Sequence, residues 1–181
     1  ESTTYGAGVL AGNLTLLGGS SASFIGVENC QGTGKVDSEM KAGGLLGSAS
    51  YANVSDCSAD VTVIGTRISG GFIGDIFLGS YKNCTAKGSV SGGWATGGFA
   101  GSVSGYDASV EIERCASYGD VTANDWNTGG FVGYLEKGKI SNSVSYGNVT
   151  NTLGTAKPKT GGFSGTNTHG NIQNCSAAGI V

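Results

Sequence analysis

Proline occurs once in the 181 residues, at Pro158, and histidine once, at His169. Charge is scarce as well: 10 basic and 13 acidic side chains make up 13% of the chain, roughly half the ordinary share. Each shortage excludes something. A net charge of only −3 speaks against a nucleic-acid grip and against a charge-driven disordered tail. One histidine and no Cys-x-x-Cys leave no zinc-ligand pattern, so neither a metal nor any other cofactor is expected. Near-absence of proline, with no three-residue glycine period, excludes collagen. No apolar run reaches the ~18 residues of a membrane-spanning helix, so no membrane insertion is expected. No secretory leader pattern opens the sequence. The repeat described below is already under way at both ends, so the chain is expected to be a piece of something longer.

What is abundant is glycine, with 35 residues. In helix interiors each would cost about 1 kcal/mol, so helices are disfavoured. Glycine at this level without a disordered composition calls for a search for internal periods. A five-residue block occurs as Gly43-Gly44-Leu45-Leu46-Gly47 and again at 70–74, 97–101, 129–133 and 161–165, with a degenerate copy at 8–12. The spacings are 35, 27, 27, 32 and 32 residues. A second block is anchored at Cys30, Cys57, Cys84, Cys115, Ser143 and Cys175. Six residues after every anchor stands a valine, from Val36 to Val181. Three residues before it stands Val27, Val54, Tyr81, Ile112, Ile140 or Ile172, and two after it a small residue.

A unit of 27 residues holds two or three short apolar runs and cannot form a core alone; stacked copies can. The runs alternate apolar or small with polar residues, and a period of two means strands. The expected fold is therefore all-β: one parallel β-solenoid over residues 1–181, of about six coils of 27–32 residues starting near 8, 43, 70, 97, 129 and 161. The general rule for parallel crossovers makes it right-handed. At about 4.8 Å per coil the rod is roughly 30 Å long. Glycine is expected at the corners, where positive φ is cheap, and where it lets neighbouring backbones approach. Longer coils carry insertions near 13–24, 103–111, 122–128 and 150–160.

The Phe72, Phe99, Phe131 and Phe163 series is expected to stack as an interior ladder continued by Leu45 and Leu10. The five cysteines and Ser143 should form a second inward ladder of free thiols. In-register Cβ atoms about 4.8 Å apart lie beyond the roughly 3.5–4.5 Å of a disulfide. Asn29, Asn83, Asn142 and Asn174, each just before an anchor, are expected to bond on the turn side, as a partial ladder between coils.

One segment carries a family resemblance. Gly129-Gly130-Phe131-Val132-Gly133, followed by Ile140-Ser141-Asn142-Ser143-Val144-Ser145-Tyr146-Gly147-Asn148-Val149, resembles the GLUG repeat. The likeness runs through all six copies, with cysteine in five where serine is also common. It implies a β-solenoid region of a large secreted or wall-anchored bacterial protein, such as an adhesin or the non-catalytic part of an immunoglobulin-A-cleaving metallopeptidase. It implies a secreted or cell-surface location and transfers no catalytic residue.

The first functional reading is accordingly a non-catalytic structural and interaction module, a stalk or adhesive rod. Neither His-Glu-x-x-His nor Gly-x-Ser-x-Gly occurs. A polysaccharide-degrading enzyme would need aligned carboxylates. The acidic residues Asp107, Glu111 and Glu113 beside Arg114, Asp120 with Asp125, and Asp56 with Asp60 form no column and read as solvated loop edges. The alternative is an accessory region of a metallopeptidase or polysaccharide-degrading enzyme that binds its substrate, a host or extracellular glycan or protein. Met40, Arg67, Trp94, Trp126 and Pro158 all lie three residues before a Gly-Gly block, so stacking aligns them on one edge. Tyr118 and Tyr146 form a similar outward pair. Such rings can stack on sugars, or on Arg67 as a cation–π pair. Open strands at both ends of the stack would also permit end-to-end association.

Overall fold

A computed structural model describes residues 5–16, 24–105, 110–154 and 158–181. All regular structure among them is β, and every strand pairing is parallel. The parallel solenoid expected from the repeats is the fold observed, with about five turns.

Each coil contributes to four stacked sheets. Sheet 1 contains Ala11–Thr15, Leu46–Ser50, Ile73–Ile76, Ala100–Ser104, Val132–Lys137 and Ser164–Asn167. Sheet 2 contains Ile25–Glu28, Ala52–Ser55, Gly79–Lys82, Val110–Glu113, Lys139–Ser141 and Asn171–Gln173. Sheet 3 begins with two long strands, Gln31–Ser38 and Ser58–Gly65; later coils break this strand into two pieces, as at Thr85–Ala86 and Val90–Gly92. Sheet 4 contains Lys41–Gly43, Ile68–Gly70, Ala95–Gly97, Asn127–Gly129 and Lys159–Gly161.

The register follows the repeat arithmetic residue by residue. Val27, Val54, Tyr81, Ile112, Ile140 and Ile172 are successive partners in sheet 2. Val36, Val63, Val90, Val121 and Val149 are successive partners in sheet 3. The four phenylalanines stack face to face with centroids 4.9, 4.9 and 4.8 Å apart. Each such pair adds about 1 kcal/mol beyond its apolar burial. Leu45 is buried at one end of this ladder, whereas Leu10 keeps the backbone register but is exposed.

Of the two roles expected of glycine, the structure shows close approach and not positive φ at the repeated blocks. The paired glycines of the repeated blocks do not have positive φ; among the described glycines the left-handed range is confined to Gly34, Gly79, Gly138 and Gly154. Close approach is what the blocks require. A Cβ on Gly71 would sit on the carbonyl oxygen of Gly98, with the methyl of Ala86 3.2 Å away. The small residue two positions after each cysteine anchor thus faces a glycine turn. The last glycine of the block lets sheet 4 lie against sheet 1: a Cβ on Gly133 would meet the backbone of Ala95 and Thr96.

The left-handed corners are instead the residues just before the anchors. Asn29, Asp56, Asn83, Arg114, Asn142 and Asn174 all have φ between 51° and 55°. Asparagine and aspartate tolerate this conformation best among residues with a side chain. Of the expected insertions, residues 17–23, 106–109 and 155–157 lie outside the described residues. The segment 122–128 is absorbed without loss of register between Val121–Ala123 and Asn127–Gly129.

Candidate functional site

The edge before the Gly-Gly blocks is built by the backbone. The amides of Ile68, Ala95, Asn127 and Lys159 donate to the carbonyls of Met40, Arg67, Trp94 and Trp126 at 2.7–2.9 Å, which places these four residues one coil apart in a single row. Trp94 is 37% exposed and Trp126 48%. The ring that meets Trp94 is Tyr134, at 5.4 Å and a tilt of 42°. Tyr134 reaches it from sheet 1, in the row of Ser102 and Thr166. Arg67 does not sit over a tryptophan: its Nη1 lies 4.0 Å from Met40 Sδ. The cation–π contact found among the described residues is Lys41 over Phe77, 4.6 Å from the centroid. The reason is register, since Arg67 follows its own row toward Met40, while Lys41 turns inward to Asp75, 3.0 Å away.

Tyr118 and Tyr146 form a second exposed aromatic feature. Their rings stack at 5.0 Å and 15°, and both are 49% exposed. The edge and the pair are separate surfaces on different sheets.

The cysteine row lines the interior, with Cys57, Cys84 and Cys115 buried and Cys30 and Cys175 half-buried; all five are free. Each thiol donates to the carbonyl two residues before it, as Cys84 Sγ does to Lys82 at 3.2 Å. Sulfur also accepts from the amide of the preceding coil's anchor: Cys30 N to Cys57 Sγ is 3.3 Å and Cys84 N to Cys115 Sγ is 3.4 Å. Ser143 Oγ does both, accepting from Cys115 N at 3.1 Å and donating to Ser141 O at 2.8 Å. Burial pushes the Cys57 thiol up to about 11. The hydrogen-bonded Cys115 and burial raise Cys84, and burial raises Cys175. Such thiols stay protonated at neutral pH and are poor nucleophiles.

The asparagine ladder runs along the corner beside them. Asn83 Nδ2 donates to Asp56 Oδ1 at 3.0 Å, Arg114 Nε to Asn83 Oδ1 at 2.9 Å, and Asn174 Nδ2 to Asn142 Oδ1 at 3.4 Å. Asp56 and Arg114 belong to this row although their types hid it in the sequence.

The acidic residues are dispersed. Glu113 pairs with Arg114 and with Lys82, Asp120 accepts from the Asn148 amide, and Asp107 lies outside the described residues. His169 sits in an exposed turn, its amide bonded to Glu136 O. Among the described residues no group of three His, Cys, Asp or Glu side chains is placed to hold a metal.

Fold and rows together define a parallel β-solenoid repeat protein whose outward chemistry is carried by aromatic and polar rows. Within it, the family model of the GLUG motif matches residues 39–64. That stretch runs from the Met40 edge through the first complete Gly-Gly block and Cys57 to Ile64, so the chain carries the motif its repeats resemble. No curated protein and no solved structure matches the chain.

Proposed function

We propose that the chain is a non-catalytic structural and interaction module, a stalk or adhesive rod, of a secreted or surface-anchored bacterial protein. The observation that carries this reading is the continuous register: one row of residues, Val27 to Ile172, passes through six strands without a break. A stack of this kind sets a length and presents the same offset once per coil, which suits spacing and multivalent contact. The GLUG motif supports the repeat-module part of the reading. Incubation with a panel of polysaccharides and peptides, followed by product analysis, tests the non-catalytic part; turnover lost on substituting a named side chain overturns it.

A second reading rests on the tilted Trp94–Tyr134 pair and its neighbour Trp126. Exposed rings in a row are suited to stacking on sugar faces, and the reading is that this edge, with Arg67 beside it, contacts a host or extracellular glycan. Tyr118 and Tyr146 offer a second such surface. A glycan array or mucin-binding assay with Trp94→Ala/Trp126→Ala decides it: binding is lost if the edge is the contact, and undiminished binding removes the proposal.

A further inference from the structure

We propose that Tyr118 and Tyr146 form an oxidative crosslinking site. Hydrogen peroxide, acting through a haem peroxidase, joins the two rings as dityrosine and ties two successive coils covalently. The repeat sets the pair. Both residues stand three positions after an anchor, Cys115 and Ser143. The strands they follow pair in register, with Ser117 beside Ser145. Their amides donate to Ala86 O and Ser117 O, each at 2.8 Å, so the two phenols occupy one row a coil apart. The rings lie nearly parallel, with centroids 5.0 Å apart and a tilt of 15°, and each residue is 49% exposed. Lys87 and Ala178 hold the same row on either side, so the stack is two rings long.

Other side chains compete poorly for this chemistry. Among the described residues this is the one stack of two tyrosine rings: Tyr81 is buried, Tyr51 meets Phe24 and Tyr134 meets Trp94. The five thiols, which would otherwise consume peroxide, are free but buried or half-buried. They form no disulfide, so dityrosine would supply a covalent tie that the thiol row does not.

The step balances. Each phenol gives up one hydrogen atom, as a proton and an electron, and the peroxide is reduced to two molecules of water. The resulting phenoxyl radicals carry spin on the ring carbons beside the oxygen. A bond forms between a Cε carbon of Tyr118 and one of Tyr146. Each of those carbons then loses its proton to water while the oxygen regains one, which restores both aromatic rings and both hydroxyls. Holding the reacting rings together replaces a bimolecular encounter, so coupling within the chain outruns coupling between chains. The site goes beyond the glycan reading of this surface and does not depend on it.

Treatment of the 181-residue chain with a haem peroxidase and hydrogen peroxide, then tryptic digestion and tandem mass spectrometry, tests the site. The expected product joins segments 115–137 and 140–159, lighter by two hydrogen atoms than their sum, with the link at Tyr118 and Tyr146. Its yield per chain should not change on dilution, and the crosslinked chain should melt at a higher temperature. Tyr118→Phe and Tyr146→Phe each keep a ring in the stack and should abolish the product; Tyr134→Phe should leave it unchanged. Melting curves report whether each variant folds, and the fragment spectra of the parent chain carry the test if one does not. Absence of dityrosine, while free tyrosine couples under the same conditions, overturns the proposal. So does a link at any other tyrosine, a yield that falls on dilution, or an equal yield in denaturant, where the stack is gone.

Discussion

The backbone amide of Cys115 donates to Ser143 Oγ, 3.1 Å away and one coil further on. The same bond runs from Cys84 N to Cys115 Sγ at 3.4 Å. Serine and cysteine therefore do one job at this row: each side chain is an acceptor for an amide that the sheet ladders leave over.

Substitution at the row should follow that job. Ser143→Ala strands the buried Cys115 amide and should destabilise the chain by about 1–3 kcal/mol, whereas Ser143→Cys should cost under about 1 kcal/mol. Denaturant melts of the two variants provide the comparison, and equal stability of the pair would refute the acceptor role.

The titration of the row has a defined sign. Cys57 has a folded value of about 11 against an ordinary 9.0. A raised acid binds its proton more tightly in the folded state, so its contribution is fully present below pH 9 and is lost as pH rises from 9 to 11. Melting temperature should fall over that window, and less steeply in Cys57→Ser. At pH 8, alkylation followed by peptide mass mapping should find Cys57 and Cys84 protected in the native chain and all five cysteines modified in denaturant.

At the corners, conformation and bonding can be separated. Asn83 combines a φ of 54° with two ladder bonds. Asn83→Ala loses both and should cost about 2–3 kcal/mol; Asn83→Gly keeps the conformation and should cost about 1 kcal/mol less than that. Thermal melts that rank glycine below alanine would contradict the left-handed requirement.

The glycine blocks give the sharpest contrast. Gly71→Ala drives a methyl into the Gly98 carbonyl and should cost about 3 kcal/mol or prevent folding. Gly26→Ala, with nothing within 4 Å, should stay within about 0.5 kcal/mol of the parent. Circular dichroism and melts of both variants settle the comparison.

The stack was readable from the sequence because identical offsets, 27 residues apart from Val27 to Val54 to Tyr81, are what parallel pairing demands. Trp94 and Trp126 were placed on one row for the same reason. Offsets within a coil say less. Tyr134 meets Trp94 because sheet 4 folds back on sheet 1, and that approach depends on glycines whose contacts no spacing reveals. Arg114 shares the asparagine corner through backbone φ, which its residue type does not signal, whereas Asp56 is of a type that tolerates it. Glu111 reads as a loop acid until its strand, Val110–Glu113, is paired with Gly79–Lys82.

The bonds that join the coils lie along the rod, as the Phe72 amide donating to the Phe99 carbonyl illustrates. Tension applied between the chain ends therefore acts on them lengthwise and peels one coil at a time. Each detached unit of 27 residues releases roughly 90 Å of chain. A module built this way yields in small, repeated steps, and a pull that removes the outermost coil leaves the next one with its own ladder intact.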